Sequence, residues 1–443
     1  MAGLARELSR EVVEVAYNGL EPVAVNALPS HVEFDGVVYT RLSTKTPQTV
    51  STLFGPIELR RVGYRPTEKT GEPTIFPLAR ELGIVAGASP ALAERASFYQ
   101  GEAGATQGRT LMRLKCDHDI GWGVKKLRRV VGRIAAELAA VRHDVQAAKL
   151  GEMLGAASRS SGPKEPVLCV GRDGISLGLQ VCRGTMFEVA SAGTVTVFDR
   201  NGNRLGTLYL ARTPESGQKA MTDQLRKLLN ATLGTHPLRP RLCYVTDAGD
   251  NETKFFNKVL RRMRDPRTGE RLSWTRVVDF YHASQRLTTM GESLFGVGPE
   301  AIAWARRMRA LLKRTNGVRK VLASAAALRK TRGPAGEAKK EFERAYHYLR
   351  SRTKFMRYWE YEKQGIPRGS GITEAACKTV YTQRLKLSGM RWKKEGAQTI
   401  LDLRIMQLSG VWETGYERIM TDYKRVQVPT NAKKAENSRK IAA

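Results

Sequence analysis

The chain has 443 residues, with 74 Lys and Arg against 43 Asp and Glu and a formal net charge of +31. Its length accommodates two or three domains with cores of their own, and so large a positive excess selects polyanions, nucleic acid first, as partners. A hydrophobic content of 41% excludes a disordered basic tail protein and argues against a ribosomal-type chain.

Five scattered cysteines (Cys116, Cys169, Cys182, Cys243 and Cys377) show neither zinc-ligand nor disulfide-framework spacing, and are expected as reduced, buried thiols. The opening "MAGLARELSREVVEVAYNGL" is too charged for a secretory leader, and no run approaches membrane-spanning length. The expectation is an intracellular, cytoplasmic and nucleoid-associated protein with no membrane partner.

Residues 30–65 alternate and are rich in β-branched side chains ("HVEFDGVVYTRL", "TVSTLFGPIELRRVGYR"), which predicts a small antiparallel sheet. From Ala79 to Arg113 the pattern becomes helical in short pieces broken by Gly and Ser-Pro. A helix-turn-helix reads this way, and so does any small helical domain. Residues 1–122 are accordingly taken as an N-terminal DNA-binding region. Over 123–155, Val130, Ile134, Leu138, Val141 and Val145 recur at helical spacing, predicting one long helix that serves as linker, core or dimer seam. "GAASRSSGPKEP" then marks a boundary.

Residues 165–294 follow as three strand candidates, a helix, a short buried strand, another helix, and a strand running into a helix. The order β-β-β-α-β-α-β is that of a ribonuclease-H-like core, an α/β fold. Residues 295–365 form a helical insertion with 18 Lys and Arg against 6 Asp and Glu. Its aromatics include Trp304, Tyr358 and Trp359, candidates for stacking on unpaired bases or for core packing. Residues 366–425 resume the core as C-terminal helices, and 426–443 form a flexible basic tail.

Asp173 follows the apolar run Val167–Val170, Asp247 follows "LCYV", and Glu374 stands alone among Lys363, Arg368, Lys378, Arg384 and Lys386. In the fold read above, the first and fourth strands lie side by side and a late helix can lay a third carboxylate across them. Three converging carboxylates repel one another unless cations separate them; paired Mg²⁺ or Mn²⁺ would supply that charge and activate both oxygens of a phosphodiester displacement. Each acid also has a structural reading. Asp173–Gly174 suits a hairpin turn, Asp250 could cap a helix, and Glu374 suits a helix's first turn.

The stretch "GIPRGSGITEAACKTVYTQRLKLSGMRWKKEGAQTILDLR" resembles the C-terminal signature of DDE transposases of bacterial insertion sequences, in the Kra-type group. It matches at Gly369, Ser370, Gly371 and Glu374, then Arg384, Lys386, Ser388, Gly389, Met390 and Trp392, then Glu395, Gly396 and Ala397. "VVDFYHASQRL" resembles the Asp-x-x-His element shared with mutator-like transposases, at Asp279 and His282. "YVTDAGD" and "VGRDGI" resemble the second-acid and first-acid motifs.

The resemblance implies a transposase that binds terminal inverted repeats and performs metal-dependent strand cleavage and strand transfer. Asp173, Asp247 and Glu374 would be its catalytic metal ligands for two ions per site. Asp279 and His282 would support them, His282 by contacting the scissile phosphate, by orienting water, or merely as a helix-start residue satisfied by Asp279. DNA at the element ends and target would meet Arg368, Lys378, Arg384, Lys386, Arg391 and Trp392, together with Arg306, Arg307, Arg309, Lys313 and Arg314 of the insertion. Two ends need two sites, so at least a homodimer on DNA is expected. A nuclease that cleaves without joining and a non-catalytic DNA-binding protein are the rival readings.

Overall fold

The computed structural model of the chain describes residues 2–68, 71–182 and 184–423; the tail expected at 426–443 lies outside the described residues. The chain divides into two compact units, one of residues 1–142 and 412–443, the other of 143–411. Among the described residues no helix is long and apolar enough to cross a membrane.

In the first unit, helix Ala2–Asn18 precedes an antiparallel sheet of β1 (His31–Phe34), β2 (Val37–Thr52) and β3 (Gly55–Pro66). Asp35 and Gly36, with φ of 50° and 76°, make the two-residue hairpin loop that Asp-Gly favours. Val50, Ile57 and Leu59 pack with Leu78, Ile84 and the helix residues Val13 and Tyr17. The expected short helices are Pro77–Glu81, Pro90–Gly101 and Gln107–His118. The first two begin with proline, whose missing N–H costs nothing there.

Helix Trp412–Tyr423 returns to this unit. The Trp412 ring meets Phe98 edge-on at 5.2 Å and its Nε1 donates to Glu94 at 3.1 Å. This corrects the expectation that residues 366–425 all belong to the catalytic-type core; hydrophobic spacing defines a buried face but not the partner it meets. The predicted long helix runs from Val124 to Arg159.

The α/β class expected from the order of elements is present in the second unit. Its five-stranded sheet comprises β4 (Val167–Val181), β5 (Gly184–Phe198), β6 (Arg204–Arg212), β7 (Arg241–Thr246) and β8 (Trp274–Val278), in the order β6-β5-β4-β7-β8. β4, β5 and β6 pair antiparallel, while β4, β7 and β8 run parallel.

Strand alternation divides the core. Leu168, Val170, Leu242 and Tyr244 pack against Leu150 and Leu154 of the long helix and Leu225 and Leu229 of helix Lys219–Thr235. Val167, Cys169, Cys243 and Val245 face the other way and join Leu287, Trp304, Met308, Phe342 and Leu349. These last five come from helices Phe280–Phe295, Pro299–Leu312 and Gly336–Arg352, so the basic insertion shares a core with the sheet. Farther along β4, Leu177 and Leu179 pack on Val380, Tyr381, Ile400 and Leu401.

All five cysteines are free, as expected; Cys169, Cys243 and Cys377 are buried, but Cys116 and Cys182 are exposed, correcting the expectation of burial at those two. Apolar neighbours in sequence do not fix burial near a helix end or a hairpin tip.

Candidate active site

β4 and β7 are aligned with Gly171 opposite Val245. Two residues on stand Asp173, still within β4, and Asp247, the first residue past β7. Parallel register therefore carries the two acids to the same level of neighbouring chain segments. The Asp173–Gly174 pair is no turn: β4 continues through it, with Asp173 opposite Ala192 and Gly174 opposite Ser191. Backbone N–H groups fix both carboxylates, Gly174 donating to Asp173 Oδ1 at 2.7 Å and Gly249 to Asp247 Oδ1 at 2.9 Å. Tyr348 of the insertion clamps the Asp247 carbonyl at 2.7 Å. Asp250 begins helix Asp250–Lys258, and the N-cap is Gly249.

Helix Gly371–Ala376 lies against the β4 backbone because Gly171 has no side chain. A Cβ there would stand 1.8 Å from Thr373 Oγ1. That oxygen instead hydrogen-bonds Thr194 of β5 at 2.8 Å. One turn later the Cys377 thiol donates to Asp173 Oδ2 at 3.4 Å. Ser370 Oγ is 2.8 Å from Asp279 Oδ2 and 2.9 Å from Glu374 Oε1, and its single proton serves one at a time.

Burial, first, raises the Asp173 pKa; the charges of Asp247 and Glu374 raise it further, against hydrogen bonds from Gly174 and Cys377. The Cys377 thiol is pushed up by burial and by Asp173. No lysine or arginine forms an ion pair with Asp173 or Asp247 among the described residues. Among the described residues the one close group of three potential metal ligands includes neither Asp173 nor Asp247, so the predicted trio is not drawn to within ligand distance as a set in this structure.

Asp279 is 0% exposed and caps helix Phe280–Phe295, its Oδ1 accepting from the Tyr281 and His282 N–H groups at 2.5 and 2.9 Å. Its Oδ2 accepts from the Ser370 N–H and faces the Ser370 hydroxyl. Ligand-type atoms of Asp279, His282 and Glu374 lie within 4.8 Å of one another. The Asp279 oxygens are already engaged, so its geometry suits holding the Ser370 turn that begins the Glu374 helix. His282 Nε2 is 3.5 Å from Glu374 Oε1. Of the roles expected of His282, the helix-start one, satisfied by Asp279, is present.

Lys378, Lys386 and Arg391 are exposed or partly so, while Arg368 is half-buried and pairs with Glu362 at 3.2 Å. Arg384 is corrected: it is 1% exposed, its guanidinium lies 5.2 Å from the Trp392 ring, and burial lowers its pKa to about 10. Trp392 is half-buried, with Nε1 donating to the Leu385 carbonyl at 3.0 Å. A motif spelled in cations does not reveal which of them points inward.

In the insertion Arg306, Arg307, Lys313 and Arg314 are exposed, whereas Arg309 donates to Thr288 Oγ1 at 2.6 Å. Trp304 and Tyr358 are core residues and only Trp359, 39% exposed, remains open among the expected stacking aromatics. It borders a cavity of about 340 Å³ whose lining includes Arg314, Arg319, Lys354 and Arg357. Arg357 pairs with Glu360 at 2.9 Å; the other three have no carboxylate partner among the described residues.

Sequence reasoning missed Thr373 and Cys377, which look like ordinary helix residues, and Gly171, whose role is visible only once a helix crosses it. It also missed Glu252 in the first turn after Asp247. The sequence matches no known family model and no curated protein.

Proposed function

We propose that this chain is a DNA transposase with a ribonuclease-H-like catalytic core, cleaving at terminal inverted repeats and joining the freed end to target DNA. The β6-β5-β4-β7-β8 order, three antiparallel strands with two parallel additions, supports the core. The observation carrying the chemistry is the β4–β7 register, which brings Asp173 beside Asp247, with the Glu374 helix seated on Gly171. The likeness of residues 365–404 to the DDE signature supplies the reaction class.

Asp173, Asp247 and Glu374 would hold Mg²⁺ or Mn²⁺. When bound, the ions supply Lewis acidity at the attacking and leaving oxygens of the phosphodiester. The protein's own contribution is placement. Gly174 and Gly249 amides orient two carboxylates, while Ser370, held by Asp279, orients the third. The exposed cations of the insertion and of the Glu374 segment bind phosphates on either side, an affinity that falls steeply with salt. Each reaction exchanges one phosphodiester for another or hydrolyses it, so no nucleotide cofactor is required.

The test is a gel assay of the full chain with terminal-repeat DNA and Mg²⁺ or Mn²⁺. Joined product is expected, and Asp173→Asn should keep DNA affinity while abolishing it. Cleavage without joining would mean a nuclease, a shifted band alone a DNA-binding protein, and cutting by Asp173→Asn at wild-type rate would remove Asp173 from the site.

A further inference from the structure

Glu252 has no part in the transposase motif. It lies in the first turn of helix Asp250–Lys258 and is only 8% exposed. A carboxylate this buried ordinarily has an ion-pair or hydrogen-bond partner. Glu252 has neither among the described residues beyond its own backbone N–H.

Its direction is set by Gly249. A methyl built on Gly249 would stand 2.5 Å from Glu252 Oε2 and 3.4 Å from Asp247 Oδ1. The two oxygens therefore converge on the same side of the glycine, in the space its missing side chain leaves open. The charge of Asp173 reaches the same carboxyl, which burial and Asp247 hold above the usual range.

Balancing buried arginines is the competing explanation. Arg172 and Arg276 are 3% and 5% exposed and feel Glu252 electrostatically. Yet neither makes an ion pair with it. Arg172 donates to Gln218 Oε1 at 2.6 Å and Thr222 Oγ1 at 3.1 Å, and Arg276 to Thr253 Oγ1 at 2.6 Å. The guanidinium hydrogen bonds of both thus go to neutral partners, and neither arginine closes an ion pair on the Glu252 oxygens among the described residues.

We propose that Glu252 is a fourth carboxylate of the divalent-metal site, contributing an oxygen ligand alongside Asp247. This rests on reading Asp173 and Asp247 as metal ligands. A protein-bound Mg²⁺ usually takes one or two carboxylates and keeps several waters. Two ions can therefore accommodate four carboxylates, and Glu252 is placed to serve the same ion as Asp247.

The experiment measures Mn²⁺ binding to the full chain by titration calorimetry without DNA, for wild type, Glu252→Gln, Gly249→Ala and Asp173→Asn. Glu252→Gln should weaken the tighter Mn²⁺ event by about tenfold or more. Gly249→Ala should do the same, because alanine accepts the local φ of −60° while its methyl drives Glu252 away. If Glu252→Gln fails to fold, Gly249→Ala decides. Unchanged Mn²⁺ affinity in the folded variants, with loss in Asp173→Asn, would overturn the role of Glu252 and leave the metal site intact. Wild-type affinity in all three would overturn both.

Discussion

Replacing Gly171 with alanine tests whether close packing of a helix on β4 places the third acid. The new methyl would meet Thr373 Oγ1 at 1.8 Å and Thr194 Oγ1 at 2.7 Å. Neither is a flexible side-chain end. Both are β-branched hydroxyls on regular elements, bonded to each other at 2.8 Å, with few alternative rotamers. Overpacking of this kind costs about 1–3 kcal/mol, and loss of the Thr–Thr hydrogen bond adds about 1 kcal/mol. At about 2–4 °C per kcal/mol for a unit of this size, Tm should fall by roughly 4–16 °C. Relief requires helix Gly371–Ala376 to lift, and on the proposed function displacing Glu374 by even about 1 Å should cost strand cleavage about 10²-fold. Scanning calorimetry and a cleavage assay read the two effects. Combining Gly171→Ala with Thr373→Ala removes the clash, so the double variant should recover much of both losses, a non-additivity expected only of touching residues. A single variant with wild-type Tm and rate would refute this account of Glu374.

In metal-free buffer, Asp173→Asn should raise Tm at pH 7. The native pKa of Asp173 lies above its ordinary 3.8, so the folded chain holds a proton the unfolded one releases; stability is lost as pH rises through that interval, and the gain from Asn should vanish below about pH 4. Ser370→Ala should lower cleavage more than stability, since it frees Glu374 while Asp279 keeps its backbone donors; equal loss of stability in Asp279→Asn and Ser370→Ala would contradict this. Replacing Arg314, Arg319 and Lys354 with glutamine should flatten the salt dependence of DNA binding by about 0.9 in slope for each phosphate no longer neutralised, measured by fluorescence anisotropy from about 50 to 200 mM salt. Arg384→Gln, being buried, should instead lower Tm and leave that slope unchanged.

The succession of strands and helices in the second unit is legible in sequence because each strand there is an apolar or alternating run bounded by turn residues. Asp173 and Asp247 are legible for the same reason, standing at the ends of such runs, where neighbouring strands make their level comparable. What stays hidden depends on contacts distant in sequence. Thr373 and Gly171 are 202 residues apart, and neither carries a signal without the other. Arg384 sits in a row of cations that spacing treats alike; only packing on Trp392 separates it. Asp279 is legible as a candidate only through its motif; two of its four donors cap a helix, and the two that hold the turn at Ser370 come from 91 residues away.

The arrangement also resolves why one chain with a net charge of +31 keeps acids unpaired. Arg172 and Arg276 are buried yet donate to neutral partners, Gln218 and Thr253, and neither forms an ion pair with Asp173 or Asp247 among the described residues. Exposed cations stand on the insertion and the Glu374 segment, where a phosphate can displace water from them. Had a lysine paired with Asp173, it would have lowered that carboxylate's affinity for a divalent ion and competed with it for the same oxygens. On the proposed function, keeping cations off the acids while leaving them exposed on the insertion and the Glu374 segment would answer one requirement, that of a polyanionic substrate approaching a negatively charged site.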